Sequence, residues 1–160
     1  MTETLSPHRR SMRGPVLRLS LGGGLAFWFA NLAISLTPIA ADYRAALSIS
    51  YVPMLLEALL GGLLIAFGVG YCLIRGYGSI PGRSPVLKSV LLSLLALILV
   101  TLLLEVPAKF LTPMPHAVRY FLIGLAFNTV RLLALSLVVG GLFDRVADAR
   151  RPDEPRDVAG

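Results

Sequence analysis

Four runs of apolar residues, at about 19–41, 52–74, 86–106 and 120–143, account for most of this 160-residue chain. Each is close to the roughly 20 residues that a helix needs to cross about 30 Å of hydrocarbon. A backbone in hydrocarbon must satisfy its own N–H and C=O groups, so runs of this length are read as helices. Little chain is left over for a soluble domain. The expected fold class is therefore all-α, an integral membrane four-helix bundle with short connections and mostly antiparallel neighbours. A hydrophobic fraction of 56% and a mean hydropathy of +0.76 agree with this.

The net charge of +6 raises the question of nucleic acid. The basic residues lie at the ends of the apolar runs and form no stripe interleaved with aromatics, so a nucleic-acid partner is set aside. They read instead as topology signals and contacts to anionic lipid. Arg9, Arg10, Arg13, Arg18, Arg75, Arg83, Lys88, Arg145, Arg150, Arg151 and Arg156 fall in the N-terminal segment, the second connection and the tail. The other two connections hold Arg44, Lys109 and Arg119. That bias places both termini in the cytoplasm, with the plasma membrane as the expected location. Residues 1–18 are then a basic cytoplasmic segment, 19–143 the membrane domain and 144–160 a charged cytoplasmic tail expected to be disordered. The first apolar run is longer than the 7–15 residues of a signal-peptide core, so it is read as an uncleaved helix.

Local signals divide the chain further. Thr37-Pro38 is read as the end of the first span, and 40–50 as a loop with Tyr43 and Tyr51 in an interfacial belt. Ser50 is placed to cap the second span, with Pro53 in its first turn. Residues 75–85 are rich in turn formers, and Ser84-Pro85 looks like a helix start. The third span is Leu-rich and the least polar, hence the most lipid-facing wall. Ser89 and Ser93 are expected to bond back to their own helix. Pro107 is expected to break this span and Pro115 to open the fourth.

In the second span, Ala58, Gly62, Ala66 and Gly70 recur every four residues. Such a stripe lets another helix approach closely. The polar residues at depth are Asn31, Glu57, Asn128 and Arg131. A charge at the bilayer centre costs about 2.5–3.5 kcal/mol on insertion scales, so Arg131 must be paired, hydrated or used. Side chains lean toward their helix N-terminus, which carries Arg131 toward the level of Glu57. Glu105 sits closer to the interface and is the poorer partner. Asn31 and Asn128 would complete the hydrogen bonding a buried ion pair requires. The cluster is either a register-fixing ion pair or a site for a solute, ion or proton.

No catalytic set is evident. His8 and His116 flank the spans, Cys72 is the single cysteine, and neither a metal site nor a cofactor is indicated. The expectation is a small, non-catalytic membrane protein acting through helix packing as an accessory or assembly component, alone in the lipid bilayer, as a homo-oligomer or with a membrane partner. The alternative is a small-solute or ion transporter or channel that uses Asn31, Glu57, Asn128 and Arg131.

Overall fold

The computed structural model describes residues 13–111, 113 and 115–148. The N-terminal arginines before Arg13 and the tail beyond Asp148 lie outside these residues. The elements are α1 (Arg13–Ser35), α2 (Pro38–Ala46), α3 (Tyr51–Gly76), α4 (Pro85–Val100), a π-helical turn (Thr101–Glu105), α5 (Val106–Phe110) and α6 (Ala117–Asp148). No strand occurs among the described residues. Four helices are long and apolar enough to cross a membrane: Arg13–Ser35, Tyr51–Gly76, Pro85–Phe110 and Ala117–Val146.

Helix α1 packs between α3 and α6, while α4 lies against α6 and touches α3 more sparsely. Its glycines make this position possible. A Cβ on Gly23 would run into Val139 and Ala66, and one on Gly24 would meet the backbone of Leu63 at 2.9 Å. The stripe of α3 answers from the other side, with Gly62 against Phe27, Gly70 against Leu19 and Ala66 fully buried. Gly62, Ala66 and Gly70 are therefore consumed within the chain, as the seat of α1, while Ala58 lines the cavity described below. Leu19, Leu73, Leu135 and Val139 complete the core. Trp28 donates its indole N–H to the Leu55 carbonyl at 3.1 Å, tying α1 to α3.

Several boundaries differ from the sequence expectations. Helix α1 starts at Arg13 and stops at Ser35, so its register lies about six residues earlier than the apolar run. Thr37-Pro38 does end it, but the same pair starts α2. The Thr37 hydroxyl accepts from Ala40 N–H at 3.2 Å and Pro38 takes the first turn, where its missing N–H costs nothing. Most of the expected loop at 40–50 is thus helix. Ser84 caps α4 as expected, accepting from Leu87 N–H at 3.2 Å, whereas Ser50 stands at the start of α3 without a side-chain bond.

Pro107 does not end the third span. It lacks an N–H, and its ring crowds the carbonyl one turn earlier. The helix widens just before it, with Val106 N–H bonding Thr101 C=O five residues back, and then continues to Phe110. Helix α6 opens at Ala117, not at Pro115, after His116 in the left-handed region at φ 58°. Ser89 and Ser93 do not bond back to their own helix. Their hydroxyls are buried without partners, that of Ser93 beside Thr129 and Leu132 of α6. The α4–α6 interface is close there, and the backbone N of Val86 lies 2.9 Å from where a Cβ on Gly140 would stand.

The third span is the least buried of the four, in keeping with an outer wall. At the end of the bundle that holds the start of α1, Lys88 donates to the Tyr77 carbonyl and stands 3.7 Å from the Tyr77 ring centroid. It thereby caps the last turn of α3, where carbonyls lack helical partners.

Candidate functional site

The opposite end of the bundle holds the polar residues. There α1 and the α4–α5 segment finish, and α3 and α6 begin. At 1.5 Å per residue, Asn31 lies about 6 Å inside the end of α1, Glu105 about 8 Å inside α5, Glu57 about 9 Å into α3 and Arg131 about 21 Å into α6. They surround a cavity of about 340 Å³, which Asn128, Lys109, Tyr43 and Arg44 also line.

Helix α2 roofs this cavity. Arg44 donates to the Ser35 carbonyl at 3.0 Å and lies 5.1 Å from the Tyr51 ring, so it is committed to the exposed end of α1. Tyr43 meets Tyr120 and Phe127 of α6 edge-to-face, at centroid distances of 6.2 and 5.7 Å. Its hydroxyl is 3.5 Å from Glu105 Oε2. Burial pushes the Tyr43 phenol above its ordinary range, against the lowering pull of its hydrogen bond with Lys109. It is therefore neutral at pH 7 and able to donate.

Glu105 is the hub. Its Oε2 pairs with Lys109 Nζ at 2.7 Å, with the two side chains 13% and 5% exposed. Its Oε1 accepts from Asn128 Nδ2 at 3.1 Å, and Asn128 Oδ1 in turn accepts from an Arg131 terminal nitrogen at 3.0 Å. Gly124 leaves the room for this, since a Cβ there would strike the Glu105 carboxylate and the Tyr43 hydroxyl. The pairing expected between Arg131 and Glu57 is not made. No carboxylate among the described residues is within ion-pair distance of Arg131, and Glu57 is exposed with no hydrogen bond. Glu105, ranked the poorer partner on depth, is the carboxylate that α6 reaches, through Asn128. The π-helical turn and the continuation past Pro107 keep Glu105 inside the bundle.

All four expected residues, Asn31, Glu57, Asn128 and Arg131, do line the one cavity. Asn128 and Arg131 are joined directly, Glu57 stands apart, and Asn31 is unpartnered. Asn31 is 1% exposed, and neither its amide N nor its amide O has a hydrogen-bond partner. Arg131 Nε is likewise buried and unbonded. Buried polar atoms left without partners cost about 1–3 kcal/mol each, so such atoms beside a cavity point to something that fills it.

Sequence reasoning missed Lys109, Tyr43 and the central role of Glu105. A signal was present. Glu105 and Lys109 are spaced i, i+4, the spacing at which two helical side chains meet, provided the helix is carried through Pro107. Beside the cavity, an apolar cleft of about 270 Å³ runs between α3 and α4. It shares Ile65 and Val100 with the polar cavity.

The lining charges do not cancel. Arg44, Lys109 and Arg131 face Glu57 and Glu105, which leaves one positive charge over. Glu105 serves Lys109 directly and Arg131 only through a neutral amide. The site can therefore accept an anionic oxygen at Arg131, with the Asn31 amide able to donate to it or accept from its neighbour. Comparison of the chain with protein-family models, curated proteins and solved structures finds no match.

Proposed function

We propose that this chain is an integral membrane protein with four spans and both termini in the cytoplasm, and that its cavity binds a small anionic group for passage or presentation across the outer half of the membrane. The observation that carries this is Arg131, a guanidinium beside a cavity with no carboxylate of its own. A charge at that depth is costly, and keeping it with an amide but no carboxylate beside it is understandable if a ligand supplies the anion. The basic residues around the α3–α4 connection support the orientation, and the cavity then opens toward the outer face.

Two measurements test this reading. For orientation, Ala45→Cys and Ser79→Cys are placed in a Cys72→Ser background. A membrane-impermeant maleimide added to intact cells should label residue 45 and not 79, and the reverse pattern would invert the proposed topology. For the site, the purified full chain is titrated with glycerol 3-phosphate and lactate and its thermal unfolding followed. Stabilisation by an anion that Arg131→Gln removes supports the reading, and no Arg131-dependent effect of either probe counts against a site for free anions.

A second reading, an accessory or assembly component, draws on α4 and the π-helical turn that follows it. Leu95, Ile98, Leu99, Leu102 and Leu103 form an exposed apolar wall that lipid or a partner helix would cover. The small-residue stripe of α3 no longer supports it, since α1 occupies that stripe. A membrane protein that co-purifies stoichiometrically, and is lost when Leu95 and Leu99 are both changed to Trp, would favour this second reading.

A further inference from the structure

We propose that the polar cavity and the α3–α4 cleft together hold one anionic amphiphile, its charged head at Arg131 and Asn31 and its hydrocarbon chain along Gly68, Leu95 and Leu99. This rests on the reading of the cavity as an anion site and names what carries the anion.

The two spaces adjoin. Ile65 and Val100 line both, so the cleft begins where the polar cavity ends. The polarity changes abruptly at that junction. Above it stand Asn31, Arg131 and Glu57. Below it the lining is apolar throughout, apart from the thiol of Cys72. The track is also open. A Cβ on Gly61, in the cavity, or on Gly68, in the cleft, would meet nothing within 4 Å. Helices α3 and α4 pack sparsely against each other, whereas α1 meets α3 and α6 along most of its length. Leu104 and Glu57 are exposed where the cavity reaches the surface of the π-helical turn and α3, which gives a side entrance.

Charge complementarity selects the occupant. A neutral apolar helix would leave Arg131 Nε and both Asn31 amide atoms unbonded, and a cationic head would oppose the excess positive charge. Glu57 opposes a second negative charge at the mouth and suits a head that carries hydroxyl donors. A phosphodiester with a hydroxylated head meets all three conditions. The chain contributes little by burial, because hydrocarbon surrounds it before and after it enters. Its effect is to deliver the head from within the bilayer, at the height of the cavity, where the local concentration of lipid is high.

The test uses the full chain in a neutral detergent. It is incubated with lysophosphatidylglycerol, with uncharged monoacylglycerol of the same chain length, or with chain-free glycerophosphoglycerol. Retained ligand is measured by native mass spectrometry and stabilisation by thermal unfolding. Lysophosphatidylglycerol should be retained about ten-fold better than the uncharged lipid, the scale of one charge-assisted contact, and Arg131→Gln should abolish the preference. Gly68→Phe, or Ala96→Leu on the facing helix if the first does not fold, should exclude the lipid while Arg131 remains in place. Equal retention of the two lipids, or a preference untouched by Arg131→Gln, means ordinary surrounding lipid and overturns the proposal. Glycerophosphoglycerol binding as well as the lipid, unaffected by Gly68→Phe, also overturns it but leaves the anion site standing. No Arg131-dependent effect of any of the three overturns both. A dimer that Gly68→Phe dissociates would make the occupant a second copy of this chain and reject the lipid.

Discussion

Changing Glu105 to Gln tests whether the network is held by its carboxylate. The side chain keeps its size and can still bond Asn128, but the Lys109 ammonium, 5% exposed, loses its 2.7 Å partner. Removing one member of a buried ion pair costs about 3–5 kcal/mol. Lys109 retains the face of the Tyr43 ring at 5.1 Å, which places the loss at the low end, about 3 kcal/mol. For a chain of this size 1 kcal/mol moves Tm by about 2–4 °C, so Glu105→Gln should lower it by about 6–12 °C. The assay is thermal unfolding of the solubilised full chain, followed by intrinsic fluorescence. Two companions make it decisive. Glu105→Gln with Lys109→Met should recover most of the loss, because no uncompensated charge remains. Glu57→Gln should stay within about 0.5 kcal/mol of wild type, since Glu57 is exposed and unbonded. If Glu105→Gln costs no more than Glu57→Gln, or the double change is no better than the single, Glu105 is not the hub.

Three further outcomes follow from the geometry. Asn31→Leu should raise stability by about 1–3 kcal/mol, because it removes two unbonded buried polar atoms, and should also weaken anion binding; a destabilised variant would mean that the amide is already satisfied. Gly140→Ala should cost about 2 kcal/mol, because a Cβ there meets the rigid backbone of Val86, while Gly61→Ala, with open space around it, should fall within about 1 kcal/mol of wild type; denaturation curves that rank them the other way would refute the α4–α6 approach. Since burial raises the Tyr43 phenol above its ordinary value of 10.0, the stability it lends is fully present below that value and is lost as pH rises through the higher folded value. The Tm difference between wild type and Tyr43→Phe should therefore be flat from neutral to mildly alkaline pH and shrink above it, and a difference that shrinks already at neutral pH would contradict the burial.

The four long helices were legible because apolar length is a local property of the chain. So was the Ala58–Gly70 stripe, although the sequence could not say which helix fills it. Helix α2 was hidden by an ambiguous signal, because Thr37-Pro38 both stops one helix and caps the next. The candidate site was legible in membership but not in wiring. Asn31, Glu57, Asn128 and Arg131 share the cavity, yet the carboxylate at its hub is Glu105. Depth counted along straight helices puts Glu105 near the surface. Its burial comes from a proline accommodated by a π-helical turn and from a roof helix, and both are tertiary facts with no period in the sequence.

The place of α1 between α3 and α6 constrains how such a bundle is made. In the proposed bilayer setting α1 leaves the ribosome ahead of α3, α4 and α6, yet one of its sides is completed by α6. Leu135 and Val139 on α6 face Gly23 across that seam. At about 5–20 residues per second, α1 waits several seconds with that flank against lipid before its neighbour is synthesised. Over that interval α3 alone can shield it, through Gly62, Ala66 and Gly70. A fragment ending before α6 should therefore hold α1 and α3 together and leave the Asn31 side of the future cavity unwalled, while α4 stays loosely attached until α6 arrives to bridge it.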